Sequence, residues 1–225
     1  KPGFAFGSEA AQTVVPDVYI LARPTGGWMV ELNSDTLPRV LVNTRYYSRI
    51  NTKSRSDTDR AYLSEKLNSA NWLIKSLDQR ANTILKVATE IVVQQEEFLT
   101  HGVQRLRPMV LRDIATAIEM HESTVSRVTA NKYLSTTRGI YPMKYFFTSA
   151  IASADGSTVH SAESVRSKIK TMIDDEPPNA ILSDEKIVEI LRRVDIKIAR
   201  RTVAKYRDTM RILPSADRRR AKKMA

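Results

Sequence analysis

Residues 199–208 read ARRTVAKYRD, and this decamer decides how the carboxyl-terminal part of the chain folds. In an α-helix, spacings of three and four residues bring side chains to one side. One side is then largely apolar and consists of Ala199, Val203, Tyr206 and Met210. The opposite side consists of Arg201, Ala204, Lys205, Asp208 and Arg211. This layout predicts a helix that packs on a core through one side and reads DNA with the other.

A second predicted helix precedes the decamer. Ser183 is its expected N-cap, and its buried stripe consists of Ile187, Ile190 and Leu191. A turn over 194–198 leads into the decamer helix, which must end by Pro214 because proline cannot continue a helix. The sequence therefore predicts a helix-turn-helix within residues 161–225.

Residues 111–128 show the same kind of pattern. Ala115 is the small residue where two helices cross, and Glu119 occupies a turn position that often holds glycine. The shared core consists of Ile114, Ile118, Val125 and Val128. The outward-facing polar residues are Ser123, Ser126, Arg127 and Asn131. Because TVSR at 124–127 parallels TVAK at 202–205, we predict two DNA readers, although a helix pair that serves only as a scaffold is the alternative for the first.

Arginine is the side chain best suited to guanine, because it can donate two parallel hydrogen bonds to O6 and N7. Arg201 is the expected base contact, and the small Ala204 lets the helix approach the bases. The predicted contact set of this helix is Arg200, Arg201, Ala204, Lys205 and Arg207. Phosphate contacts are predicted for the basic tail, at Arg218, Arg219, Arg220, Lys222 and Lys223.

Charge supports a polyanionic partner. The 225 residues carry a net charge of +11, and residues 197–225 alone contain eleven basic residues against two acidic ones. A cluster at one end indicates nucleic acid, with a merely solvated tail as the alternative. The chain has no cysteine, which excludes disulfides and fits a reducing compartment. No apolar run approaches the ~20 residues of a membrane helix, so we expect a cytoplasmic, nucleoid-associated protein.

The rest of the chain predicts a mainly α, multi-domain helical protein with a small extended or hairpin segment near its start. Residues 17–42 suggest a hairpin, and residues 57–100 suggest a long helix with a break near Asp78. Trp72 widens the apolar stripe of this helix, which predicts core packing. The expected domains are 1–56, 57–152 and 161–225, with a linker over 153–160.

The decamer closely resembles the RpoN box of the sigma-54 family of bacterial RNA polymerase sigma factors. Three further segments resemble that family in the same order, namely ANWLIKSLDQRANTILKVA at 70–88, MHESTVSRVTANKYL at 120–134 and GIYPMKYFF at 139–147. The resemblance implies that 1–56 completes a core-polymerase-binding domain and that this chain is a fragment without the amino-terminal activator-interaction region. In place of the glycine of many relatives, this chain has Asp195 before the box, where we expect a positive φ.

The resemblance also implies a function. The helix pair with Arg127 would lie near the minus 12 promoter element, and the box helix with Arg200 and Arg201 would read the GG of the minus 24 element. The expected partners are promoter DNA, core RNA polymerase and, for the full-length protein, an AAA+ activator whose ATP hydrolysis drives melting. The chain itself then needs no cofactor, and we expect it to act as a monomer.

Other functional classes fit less well. His101, His121 and His160 lack metal-ligand spacing, no glycine-rich phosphate loop occurs, and the acidic run at 174–176 is typical of a solvated helix end. We therefore expect neither an enzyme nor a metal site. A stand-alone helix-turn-helix regulator that does not bind polymerase is the alternative, and a recombinase or transposase with tandem units is a more distant one.

Overall fold

A computed structural model describes residues 13–53, 56–148, 150–152, 159–177 and 180–224, with the side chains of all of these except 53, 150, 152, 159, 223 and 224. The α-helices are α1 (Thr44–Lys53), α2 (Asp57–Gln94), α3 (Glu96–His101), α4 (Leu111–Ala117), α5 (Glu122–Thr129), α6 (Ala162–Asp174), α7 (Asp184–Arg193), α8 (Arg200–Thr209) and α9 (Ser215–Met224). Short 3-10 helices span Val103–Arg105 and Met143–Phe146. The strands are β1 (Val18–Ala22), β2 (Trp28–Leu32), β3 (Tyr133–Thr136), β4 (Gly139–Pro142), β5 (Ala150–Ala152) and β6 (Val159–Ser161). The prediction of a mainly α protein is confirmed.

The chain forms two compact units. One consists of Lys1–Ala88 with Asn131–Pro142, and the other of Thr89–Ala130 with Met143–Ala225. Both predicted helix-turn-helix pairs, α4–α5 and α7–α8, belong to the second unit. The domain boundaries expected from the sequence stay predictions.

A four-stranded sheet in the order β2-β1-β3-β4 organises the first unit. β1 and β2 form the predicted antiparallel hairpin, whose turn contains Gly26 and Gly27 with φ of 92° and 81°, in the region that favours glycine. β1 also pairs in parallel with β3. Asp17 supports this pairing, because its carboxylate accepts hydrogen bonds from Lys132 Nζ at 2.6 Å and from the backbone N–H of Tyr133 at 3.0 Å.

The long helix α2 continues through Asp78, so the predicted break at that residue is wrong. Asp78 is exposed and no proline follows it before Pro108, so nothing there interrupts the helix. The interruption falls at Gln95, which is 1% exposed and exchanges two hydrogen bonds with the backbone of Arg107, at 2.8 and 3.1 Å. Trp72 is 71% exposed, which contradicts its predicted place in a core. Burial in α2 begins in its second half, at Thr83, Ile84, Val87, Ala88, Ile91 and Val92.

A compact aliphatic core joins α6, α7 and α8 in the second unit. Its fully buried members are Val165, Ile169, Ile173, Ile187, Leu191, Ile196 and Val203. Burial of each such side chain contributes about 1.5–3 kcal/mol, which makes this core the main source of stability for the α7–α8 pair. Tyr206 packs against the same core, as predicted, and its ring centroid lies 5.0 Å from the Arg166 guanidinium carbon.

Helix caps and ends also follow the sequence in this region. Ser161 and Ser183 cap α6 and α7, because their Oγ atoms accept hydrogen bonds from Ser164 N–H at 3.0 Å and Lys186 N–H at 3.2 Å. α8 ends at Thr209, before Pro214, and Arg211 between them adopts a φ of 58°. Val159 and His160 of the predicted linker lie in β6, which corrects that boundary, and residues 153–158 lie outside the described part of the chain. None of the described helices is long and apolar enough to cross a membrane.

Candidate nucleic-acid interface

The two helix pairs share one turn geometry. Glu119 and Asp195 each end the first helix of a pair in the left-handed region, with φ of 55° and 62°. In each case the next residue donates its backbone N–H to a carbonyl five residues earlier, from Met120 to Ala115 at 2.9 Å and from Ile196 to Leu191 at 2.9 Å. The positive φ predicted for Asp195 is confirmed, and Glu119 shows that the first pair makes the same turn without glycine.

The second helix of the first pair, α5, presents short polar groups. Val125 is 0% exposed and anchors the helix, while Ser123, Arg127 and Asn131 are exposed and Ser126 is half-buried. His121 is the N-cap, because its Nδ1 accepts the Ser123 backbone N–H at 3.2 Å and lies 2.8 Å from the Ser123 Oγ. The Ser123 hydroxyl is therefore engaged within the protein in this arrangement.

The second helix of the other pair, α8, presents cations. Arg200, Arg201 and Lys205 are exposed, and Ala204 between them is half-buried. The Arg200 Nη1 lies 3.0 Å from Glu185 Oε1, but both side chains are about two-thirds exposed, at 68% and 67%, so this ion pair holds Arg200 only weakly. Ala199 caps α8 without a side-chain hydrogen bond, which leaves the amino-terminal N–H groups of the helix without a side-chain acceptor.

Arg207 is a correction to the predicted contact set. The residue is 5% exposed, and its Nε donates to Asp184 Oδ1 at 3.2 Å while its Nη1 donates to the Ile212 carbonyl at 2.8 Å. A guanidinium engaged in this way ties α8 to the first turn of α7 and is not presented to DNA. The sequence spacing could have predicted the burial of Arg207, because this residue follows the buried Val203 by one helical turn and shares its side of the helix.

The predicted basic tail is the helix α9, and its cations divide into two groups. Arg218 is 8% exposed and Lys222 is half-buried, with its Nζ donating to the Glu176 carbonyl at 2.9 Å. Arg218 is therefore wrong as a phosphate contact, and Lys222 is already engaged within the protein. Arg219 and Arg220 are exposed, so their phosphate contacts stay predictions, and the Lys223 side chain lies outside the described residues.

Glu176 is the partner that holds those two cations, which corrects the expectation of a solvated acidic run at 174–176. Its side chain is 0% exposed, and its carboxylate pairs with Arg218 through Nε at 2.9 Å and Nη2 at 3.1 Å. Burial alone would raise the pKa of Glu176. The hydrogen bonds from Arg218 and from the Leu182 N–H, with the charges of Arg218 and Lys222, outweigh burial and hold that pKa below its ordinary value.

The three histidines lie in different surroundings. No group of three or more His, Cys, Asp or Glu in the described part of the chain is placed to hold a metal ion. His101 is exposed and His121 is a helix cap, whereas His160 is half-buried. Burial lowers the pKa of His160, the Lys168 charge lowers it further, and Asp195 partly opposes both. Burial, followed by the charge of Arg105, also lowers the pKa of Lys168.

Comparison with known proteins places this arrangement in a family. The family described as "Sigma-54, DNA binding domain" matches residues 60–220, and "Sigma-54 factor, core binding domain" matches residues 1–46. The chain belongs to the sigma-54 family.

Named relatives agree with this assignment. RNA polymerase sigma-54 factor 2 of Bradyrhizobium diazoefficiens is 62% identical over 225 residues, which are 100% of this chain and 42% of that protein. The RNA polymerase sigma-54 factor of Caulobacter vibrioides is 57% identical over 226 residues, which are 100% of this chain and 46% of that protein. The chain thus spans less than half the length of these curated relatives. The crystal structure of Aquifex aeolicus sigmaN bound to promoter DNA is similar with a TM-score of 0.62 and 30% identity, over 93% of this chain and 63% of that one.

Proposed function

We propose that this chain is the promoter-reading part of a sigma-54 transcription initiation factor, together with a portion of its core-polymerase-binding domain. One observation carries the proposal. α8 holds Arg201 and Lys205 exposed on the side opposite the buried Val203, with Arg200 exposed at the flank, so that the helix can enter a major groove while its other side stays packed. The similarity to a sigmaN structure bound to promoter DNA supports this placement.

Within the proposal, α8 reads the guanine doublet of the minus 24 element. Arg201 donates two parallel hydrogen bonds to one guanine, and Arg200 leaves its exposed ion pair with Glu185 to serve the flank. Ala204 allows close approach, and Lys205 contacts a phosphate that fixes the register. α5, with Ser126, Arg127 and the exposed Asn131 that follows it, lies near the minus 12 element, where melting begins.

The remaining parts of the function belong to partners. Core RNA polymerase binds the factor, and an AAA+ activator hydrolyses ATP to open the promoter through the full-length protein. The chain itself carries out no catalysis and holds no cofactor, and it reads an asymmetric site as a monomer because its two readers differ. The names of the relatives, all RNA polymerase sigma-54 factors, support the polymerase partner.

Footprinting on duplex DNA tests the proposal. The DNA carries GG and GC elements about one helical turn, roughly 10 base pairs, apart. We expect protection of both elements by the unaltered chain, and loss of joint protection when one element is displaced by half a turn. Arg201→Ala should lose protection of GG, whereas Lys170→Ala, an exposed residue of α6 with the same change in charge, should keep it.

Co-purification with core polymerase tests the partner. Retention of the polymerase by the chain is the expected result. A chain that protects both elements without retaining polymerase would instead act as a stand-alone regulator, and a chain that protects neither element contradicts the proposal altogether.

A further inference from the structure

Among the described carboxylates that form ion pairs, the most completely buried one lies outside the α7–α8 pair. Glu176 has a side chain with 0% exposure, immediately after α6 and the exposed Asp174 and Asp175. It accepts two hydrogen bonds from Arg218 and one from the backbone N–H of Leu182 at 3.1 Å. A buried carboxylate that accepts several hydrogen bonds fixes the position of the segments that donate them.

The main partner belongs to α9. Besides its two bonds to Glu176, Arg218 donates Nη1 to the Leu213 carbonyl and Nη2 to the Leu182 carbonyl, each at 2.8 Å. One guanidinium therefore joins the end of α6, the segment before α7 and the loop that leads into α9. Lys222, one helical turn after Arg218, adds a bond from Nζ to the Glu176 carbonyl at 2.9 Å.

The described side chains of α9 offer no apolar stripe that could dock this helix. α9 reads SADRRRAKKM and contains no large apolar side chain before its last residue, Met224. Helices in soluble proteins are normally held by an apolar stripe, whereas the buried side of α9 consists of Arg218. The Glu176 carboxylate thus takes the place of a hydrophobic seam as the anchor of α9.

The docked side determines which cations face outward. Because Arg218 and Lys222 share the docked side, Arg219 and Arg220 are directed away from it and are exposed. We infer that Glu176 is a positioning residue for DNA binding: it clamps α9 through Arg218 and Lys222, so that Arg219 and Arg220 are presented to the phosphates beside the site read by α8. This inference rests on the proposed function, since it assigns α9 to the same DNA complex.

The salt dependence of DNA binding tests the clamp. Affinity falls as salt rises, and each phosphate contact makes the slope of log affinity against log salt steeper by about 0.9. The loss of two contacts in Glu176→Gln should therefore make the slope shallower by about 2. It should also weaken binding roughly 10- to 60-fold at about 0.1 M salt. Asp175→Asn is the matched control, because it makes the same change in charge at the neighbouring exposed carboxylate. We expect Asp175→Asn to keep the full slope.

Two further measurements separate positioning from general structural support. The double variant Arg219→Gln/Arg220→Gln should show the same loss of slope, and adding Glu176→Gln to it should lower the slope no further. Hydrogen exchange of the free chain should show faster exchange of α9 amides in Glu176→Gln, with α7 and α8 still protected. The relative affinity for GG over other doublets should stay that of the unaltered chain.

The outcomes distinguish this inference from the proposed function. If the unaltered chain shows no preference for GG, the proposed function fails, whatever the variants do. If the unaltered chain prefers GG but Glu176→Gln keeps the full slope, the clamp is wrong. Loss of protection throughout α6–α8 in Glu176→Gln would also overturn it, because Glu176 would then hold the whole helical core together rather than α9.

Discussion

The helix pairs α4–α5 and α7–α8 have the same backbone turn but different side chains around it. Both end their first helix at a left-handed residue, Glu119 or Asp195, and both anchor their second helix with a valine that is 0% exposed, Val125 or Val203. One turn after that valine the two diverge. α5 has the buried Thr129, whose hydroxyl donates to the Val125 carbonyl at 2.9 Å, and α8 has the buried Arg207, which reaches Asp184 in α7.

The exposed sides differ in the same sense. α5 exposes one basic and one acidic residue and has His121 as its N-cap, whereas α8 exposes three basic residues and one acidic residue and has Ala199 as its N-cap. A nearly neutral helix has little electrostatic attraction for phosphate. A cationic helix whose N-cap side chain accepts no hydrogen bond attracts phosphate strongly at its amino-terminal end. A shared turn thus fixes where the second helix lies, and the outer residues and long-range ion pairs of that helix decide how strongly it can bind DNA.

The largest expected effect concerns stability at the point of divergence. Arg207→Met removes the guanidinium that pairs with Asp184 and the Ile212 carbonyl, so the free energy of unfolding should fall by about 3 kcal/mol. Thr129→Val is the counterpart in α5, and because it removes one local hydrogen bond it should cost less than about 1 kcal/mol. Urea denaturation measures both changes. Equal losses from the two variants would show that the pairs are not held differently.

The next effect concerns base preference. Arg201→Ala should reduce discrimination for the guanine doublet by about 1–3 kcal/mol, because a bidentate contact to guanine is lost. Arg127→Ala, the exposed arginine of α5, should leave preference for that doublet unchanged. Competition binding with duplexes that differ only at the doublet measures the ratio. A larger loss of preference in Arg127→Ala than in Arg201→Ala would reverse the assignment of the two readers.

Acid should destabilise the region that Glu176 holds together. The folded-state pKa of Glu176 lies below its ordinary value, so its carboxylate stabilises the fold above the ordinary pKa and this contribution disappears as pH falls through the folded-state value. Between about pH 6 and about pH 3, the unaltered chain should lose more stability than Glu176→Gln does. Parallel denaturation curves measure the difference. Identical pH dependence in the two chains would mean that Glu176 contributes nothing through its charge.

The smallest effect concerns the two N-caps. Ala199→Ser should stabilise α8 by about 0.5–1 kcal/mol, because serine supplies the acceptor that alanine lacks. His121→Ala should destabilise α5 by a similar amount, since the bond from the Ser123 N–H is lost. Protection of helix amides from hydrogen exchange reports both changes. Stabilisation of α5 by His121→Ala would contradict the observed cap.

Local patterns predicted most of this structure, and partners distant in sequence account for most of the errors. The cap Ser183, the positive φ of Asp195 and the buried Val203 all follow from residues within a few positions. Arg207 and Arg218 were assigned to DNA because charge is read locally, whereas their carboxylate partners lie 23 and 42 residues away. The pairing of β3 with β1 was missed for the same reason, because Leu134 and its partner Val18 are 116 residues apart.

Recognition of a guanine doublet by the exposed guanidinium groups of α8 can be measured as the affinity ratio of the unaltered chain for duplexes with and without that doublet. We expect a ratio of roughly 10 or more at moderate salt, falling toward one when Arg201 becomes alanine. Equal affinity of the unaltered chain for GG and for every other dinucleotide at that position would contradict it.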